Sequence, residues 1–417
     1  MNNLDPWRTN RNPLSPKRSA LTLLLVAILL FFLPLSPVLG QTGLVLSGVA
    51  ETTLGILLDT DESWSVAAEQ FANLRLTAPI GDNGRFYSAF NVLATSAPET
   101  GIIAEGELER LYAALQFDTV DINLGLMRVP FGYGMGIRPT DIINPRNPLF
   151  PDARLRGVMA TVLTWYPREE LQVQGFAVQR STDYFEGQRI SFDGESLFGL
   201  SLDHHNSILS IQGLALTTVP GKNPDNYRLQ LGLSLKFDVA VGVTFDTLIT
   251  TDGRTEFDEG RENAALAAAL GCDYSFLDGR IFLLAQYYYT SAGPLSQSDS
   301  VSDLLNGEEI AESGKSSIQF IQNSGTTFLR RHYGFLTLLY NHSDYARLQI
   351  LMLTSLTDAS IFPTIRHEIE PVQAVTVVSQ LVIPFDTTLF GGTDAGEFGP
   401  DVAGLHAAAS FSVKYRF

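Results

Sequence analysis

The 417-residue chain carries 45 Asp+Glu against 28 Lys+Arg, a formal net charge of −17, with 45% hydrophobic residues and one cysteine. The acidic balance excludes a surface of clustered cations for phosphates, and with it nucleic-acid binding. The lone Cys272 excludes an internal disulfide, and no metal-ligand spacing surrounds it.

In chain order the first element is an export signal. Arg8, Arg11, Lys17 and Arg18 precede the apolar run "ALTLLLVAILLFFL" from Ala20 to Leu33, and "PVLG" ends on a small residue before Gln41. The run is shorter than the about 20 residues a spanning helix needs; an uncleaved anchor is the competing reading. Residues 1–40 are expected to be a signal peptide and 41–417 one continuous domain. Removing the signal leaves 24 Lys+Arg against 44 Asp+Glu.

Short alternating runs follow. In "VDINLGLM", Val120, Ile122, Leu124 and Leu126 lie opposite Asp121, Asn123 and Gly125. In "YRLQLGLSLKF", Tyr227, Leu229, Leu231, Leu233, Leu235 and Phe237 lie opposite Arg228, Gln230, Gly232, Ser234 and Lys236. Strands with lipid on one face and water on the other need this period of two, because hydrocarbon offers polar groups no partner. The runs "IFLLAQYYYT" from Ile281 and "AVTVVSQLVI" from Ala374 alternate less cleanly.

Short-turn candidates start at Gly81, Asp118, Pro167, Asp203, Phe237, Leu277, Asn341 and Pro384. Longer connections alternate with them, at 60–63, 98–104, 131–153, 185–187, 220–224, 252–261, 293–327, 357–365 and 392–403. The count is about 18 strands, with 16 as the alternative if two weak runs merge. Trp165, Tyr166, Phe237 and Tyr340 adjoin short turns, as an aromatic girdle requires. The fold class is all-β: a transmembrane antiparallel β-barrel, wide enough at 18 strands for an aqueous channel.

Parity places Arg75, Arg110, Arg180, Arg228, Lys236, Arg347, Lys414 and Arg416 on the polar, lumen-facing side. By the same test lumen acids are few, Glu51 among them. The acidic excess falls in turns, Asp203 for one, and in two loops around Asp252–Glu262 and Asp303–Glu312. A basic ladder of this kind favours anions; the alternative is that each cation satisfies an acid across the barrel.

The connection 131–153 is the least regular part of the chain. Gly132, Gly134 and Gly136 allow close packing, and Pro139, Pro145, Pro148 and Pro151 stiffen its path. Arg138, Arg146, Arg154 and Arg156 offer planar forks for carboxylate or phosphate. Asp141, Asn144 and Asn147 can orient them or accept from sugar hydroxyls. These seven residues are the expected pore constriction and solute-binding set, on an inward-folding or lid loop. A surface loop bridging acids or lipopolysaccharide phosphates is the alternative.

The chain ends "SFSVKYRF", with Phe411, Val413, Tyr415 and Phe417 on one face. This strand resembles the C-terminal signature of Gram-negative outer-membrane β-barrels, in which Phe417 would be read by the barrel assembly machinery. The string "RVPFG…RPTDIINPRNPL" is similar to segments of substrate-selective porins, including the alginate-export and phosphate-selective types. That resemblance covers residues 120–157 and the final strand. By strand count, the arginine loop also takes the position at which general porins fold a loop inward.

The resemblance implies a channel in the cell outer membrane for passive diffusion of small hydrophilic solutes, anionic or sugar-like. Its partners would be outer-membrane lipid, lipopolysaccharide, the assembly machinery and, as an option, further copies of itself. No cofactor or metal is expected. His204, His205, His332, His342, His367 and His406 are scattered, and no GxSxG or HExxH pattern occurs, so no enzyme is expected. The polar, acidic stretch 293–327 keeps open a surface-exposed structural or adhesin-type barrel without an open pore.

Overall fold

The computed structural model describes residues 43–59, 63–97, 101–144, 157–180, 185–186, 189–190, 195–219, 227–252, 264–291, 330–386, 396–398 and 405–417. The expected signal peptide lies outside the described residues. Eighteen strands run β1 Val45–Asp59, β2 Trp64–Ile80, β3 Gly84–Ala97, β4 Gly101–Gln116, β5 Val120–Met127 and β6 Val158–Arg168. They continue as β7 Leu171–Gln179, β8 Ser196–His205, β9 Leu209–Val219, β10 Arg228–Asp238, β11 Gly242–Asp252 and β12 Ala264–Phe276. The last six are β13 Ile281–Thr290, β14 His332–Ser343, β15 Ala346–Ser355, β16 Ser360–Val372, β17 Val375–Val382 and β18 Leu405–Arg416.

Every neighbour pair is antiparallel, and β1 pairs with both β2 and β18, so the sheet closes on itself. Closure removes the unpaired edges that would expose backbone donors and acceptors. The two-residue strands Phe185–Glu186 and Arg189–Ile190 form a separate ribbon between β7 and β8.

Burial is inside-out relative to a soluble sheet. On β10, Leu229, Leu231 and Leu233 are 43%, 48% and 38% exposed, while Gln230 and Ser234 on the alternate positions are 3% and 0% exposed. The apolar stripe is therefore the outer, lipid-facing surface and the polar residues point inward. Trp165, Tyr166, Phe237 and Tyr340 are all exposed beside the short turns, where aromatic rings bridge hydrocarbon and headgroups. A soluble sandwich would bury that stripe.

At the seam, Gly48 N donates to Phe417 O at 2.9 Å and Phe417 N to Gly48 O at 3.1 Å. A Cβ on Gly48 would fall 2.5 Å from the Phe417 ring. The glycine leaves the space in which the terminal ring seats, stacked on Tyr415 with centroids 6.1 Å apart.

Three local expectations are corrected. The turn placed at Asp203 lies at 206–208, because Asn206 Oδ1 accepts from the amides of Ile208 (3.0 Å) and Leu209 (2.9 Å). That Asx-type turn lets β8 run on through Asp203 and His205. The chain does not turn at Pro384: Phe385 exchanges two 2.8 Å backbone hydrogen bonds with Ile361. The reversal lies at Gln373–Ala374 instead, with Ala374 at φ 70° and Val372 facing Val375. Finally, the connection expected at 357–365 is the tight turn 356–359, with Ala359 at φ 56°. The count of 18 survives these shifts, but 344–345, 356–359 and 373–374 are three short connections in a row, so the expected alternation of short and long breaks there.

Candidate functional site: an in-folded segment on the inner wall

The inner wall is not uniformly polar. Val158, Ala160 and Val162 of β6, Phe176 and Val178 of β7, Leu197 of β8 and Leu214 and Leu216 of β9 form a buried apolar cluster. Left open to a water-filled lumen, these side chains would remain hydrated. Val129, Phe131, Ile142 and Ile143, from the connection after β5, complete the cluster. The Phe131 ring packs tilted against that of Phe176, with centroids 5.1 Å apart. Each such side chain, fully buried, contributes about 1.5–3 kcal/mol. The hydrophobic effect thus draws residues 128–144 onto the inside of the barrel.

Polar side chains on the wall then fix the path. Gly132 N donates to Gln212 Oε1 of β9 at 2.7 Å. Tyr133 N and Gly134 N donate to the two carboxylate oxygens of Asp246 on β11, at 3.3 and 2.9 Å. Gln286 of β13 accepts from Ile137 N at 2.7 Å and donates to Ile137 O at 2.8 Å. Thr140 Oγ1 and Ser234 Oγ of β10 lie 3.1 Å apart, and the Tyr133 hydroxyl donates to Asp203 of β8. Side chains of five strands, β8 to β11 and β13, therefore hold one irregular segment.

Glycine is needed where that segment meets the wall. Gly132 has φ +84°, and a Cβ on Gly134 would stand 2.6 Å from Asp246 Oδ2. Either side chain would push the backbone off its acceptor, the Gln212 amide oxygen for Gly132 and the Asp246 carboxylate for Gly134.

The candidate constriction residues divide. Asp141 and Asn144 are buried, 2% and 6% exposed. They accept from Phe131 N (3.4 Å) and Val129 N (2.8 Å), so they brace the segment from within. Arg138 is half-exposed and close enough to Asp246 to interact with it electrostatically. Arg146, Asn147, Arg154 and Arg156 lie outside the described residues. Arg180 holds the far side of the segment, its guanidinium donating to Ile142 O and, at 3.4 Å, to Ile143 O.

The basic ladder is threaded with acids, which corrects the expectation that lumen acids are few. Arg110 lies 3.2 Å from Glu109, Lys236 2.6 Å from Asp238, and Arg347 2.7 Å from Glu368. Lys414 lies 3.4 Å from Glu51, Arg416 2.9 Å from Glu370, and Arg228 bridges to Glu195. Arg75 differs: its Nε donates to the neutral amide oxygen of Asn73 at 2.5 Å. Glu109 escaped the parity test because a bulge after Ala89 shifts the β3–β4 register. Asp203, read as a turn residue, is an inner-wall acceptor for Gln212 at 2.5 Å.

The wall residues that receive the segment, Asp203, Gln212, Asp246 and Gln286, were not singled out by sequence. The available signal was the blurred alternation of β6, β13 and β17, where apolar residues occupy both faces. Among the described residues no group of three or more His, Cys, Asp or Glu could hold a metal ion.

The fold has solved counterparts. OccAB4 of Acinetobacter baumannii aligns over 90% of this chain and 98% of its own, with TM-score 0.55 and 11% identity. OpdQ of Pseudomonas aeruginosa covers the same shares with TM-score 0.54 and 11% identity. OccK2 (OpdF) of P. aeruginosa, solved in complex with glucuronate, gives 0.54 and 8% over 90% and 96%. The fold is that of the outer-membrane porins. No family model and no curated protein matches the sequence. At these identities the likeness is one of architecture, the porin-type barrel fold.

Proposed function

We propose that the chain is an outer-membrane diffusion channel for small hydrophilic solutes that favours anions, sugar acids foremost. The single observation that carries this reading is the in-folded segment 128–144, which brings Arg138 onto the inner wall beside Asp246. Inward arginine in a narrowed passage attracts anions and orients carboxylates through its planar fork. Acids lie beside most of the ladder cations, and Asp246 lies near Arg138, so the preference is assigned to Arg138, Arg75 and the arginines of 145–156 acting as a set. Selection is electrostatic and steric, and no covalent chemistry is part of the proposal.

The resemblance to alginate-export and phosphate-selective porins and the glucuronate found with OccK2 point to overlapping chemistry. Alginate is a polymer of uronic acids, and glucuronate is a uronic acid. A carboxylate on a pyranose ring is therefore the solute class proposed here, ahead of inorganic phosphate.

Proteoliposome swelling tests this reading. Vesicles containing the protein should swell severalfold faster in glucuronate than in glucose. Equal or faster entry of glucose would contradict the proposed preference. Entry of neither would favour a barrel without an open pore.

A further inference from the structure

A second part of the inner wall is covered from a different connection, and one carboxylate organises it. Asp358 sits on the tight turn 356–359 and is 6% exposed. Its Oδ1 accepts from Ser360 N at 3.1 Å and from Ser360 Oγ at 2.7 Å. Its Oδ2 accepts from Glu397 N at 3.0 Å and from Arg330 Nε at 3.2 Å. Arg330 itself is 1% exposed, and its amide donates to the Tyr333 hydroxyl. That hydroxyl in turn donates to Glu397 Oε2 at 2.6 Å.

Three connections meet here: the end of 291–331, the turn 356–359, and the stretch 396–398 before β18. Their junction seats Phe398, whose amide donates to Ser360 Oγ at 3.0 Å and whose ring lies 6.0 Å from that of Tyr333. Phe398 belongs to a buried cluster with Tyr333, Phe335, Leu353 and Phe362. Ile137 of the in-folded segment belongs to the same cluster. A Cβ on Gly136, the residue before it, would lie 2.6 Å from the Phe335 ring.

We propose that Asp358 is a positioning residue for the constriction. It locks Phe398 against Tyr333 and Phe335, and that aromatic column backs Ile137 and keeps the segment 128–144 on the wall. The coupling runs through contiguous packed side chains, the physical route by which one site biases another. Removing the Asp358 carboxylate strands buried donors on Arg330, Ser360 and Glu397 at once. The inference rests on the channel reading for its electrical readout only; its structural readout is independent of conduction.

The test uses the full-length protein refolded in detergent, wild type against Asp358→Ala, Asp358→Asn and Phe398→Ala. Chymotrypsin cleavage is followed by mass spectrometry after Phe398 and after Tyr133. In Asp358→Ala both sites should be cut about tenfold faster or more, since cleavage of a packed segment follows the population of its open form. Asp358→Asn keeps the geometry of one oxygen acceptor and should fall between. Phe398→Ala, which leaves the Asp358 acceptors in place, should speed cleavage after Tyr133 and reads the coupling if Asp358→Ala fails to fold. In bilayers the same variants should add flicker to open-channel current, which a merely local loosening near β16 would not. Unchanged cleavage after Tyr133 in both Asp358→Ala and Phe398→Ala would overturn the proposal, whether or not the protein conducts.

Discussion

Asp246→Ala is expected to widen the channel. Asp246 is fully buried on β11, and its two carboxylate oxygens take the amides of Tyr133 and Gly134. Alanine leaves both N–H groups without their acceptor against a close-packed wall, at about 1–3 kcal/mol each. The ladder of β11 is made by backbone and survives, so the barrel should still assemble. The segment should then lift at its centre while its apolar ends stay seated. Single-channel conductance should rise roughly twofold or more, as a narrowed pore opens. Asp246→Asn keeps an oxygen acceptor for one amide and should shift conductance less. Conductance equal to wild type in Asp246→Ala would show that this carboxylate does not hold the segment.

Phe131→Ala combined with Ile143→Ala should have the larger structural effect. Both side chains are 2% exposed within the apolar cluster on β6 to β9. Phe→Ala in a core costs about 3–5 kcal/mol and Ile→Ala about 2–5, and neighbours in one cluster do not add simply. The loss falls on the segment rather than on the barrel, because no strand contributes the truncated side chains. Hydrogen exchange should accelerate at residues 131–137 and stay slow in β8 to β13. The protein should still migrate on gels as a compact, heat-modifiable barrel. Preserved protection at 131–137 would mean that the polar contacts alone suffice to hold the segment.

The parts of this molecule legible in sequence are those where one residue's environment follows from its neighbours. The stripe Leu229, Leu231, Leu233 declares a lipid face by alternation, and Trp165 and Tyr340 declare a girdle by lying beside turns. The reversal at Gln373–Ala374 was illegible because neither residue is of the kind that favours positive φ, yet Ala374 adopts it. The tight turn 356–359 hid for the same reason at Ala359. Parity mislaid Glu109 because a bulge is a property of the pair of strands, not of either one.

The site was legible in outline only. Glycine and arginine density marked the segment, but what holds it inside is Val129, Phe131, Ile142 and Ile143, apolar residues that look ordinary in a loop of mixed composition. Their partners on β6 to β9 blur the alternation, which is the trace that a covered inner wall leaves in sequence. Asp246 and Gln286 resemble any lumen-facing polar residue until the segment's amides are seen against them. Asp141 and Asn144 have the chemistry of solute contacts but spend it on the amides of Phe131 and Val129.

The proposed function requires a water-filled passage whose anion preference comes from Arg138 and the arginines that follow it in the chain. Reversal potential across a salt gradient in planar bilayers tests it most directly, for wild type and for Arg138→Ala/Arg146→Ala/Arg154→Ala. Wild type should open steadily with anion preference, weakened in the triple variant towards no preference. Cation preference in wild type, or a triple variant with selectivity unchanged, would contradict it.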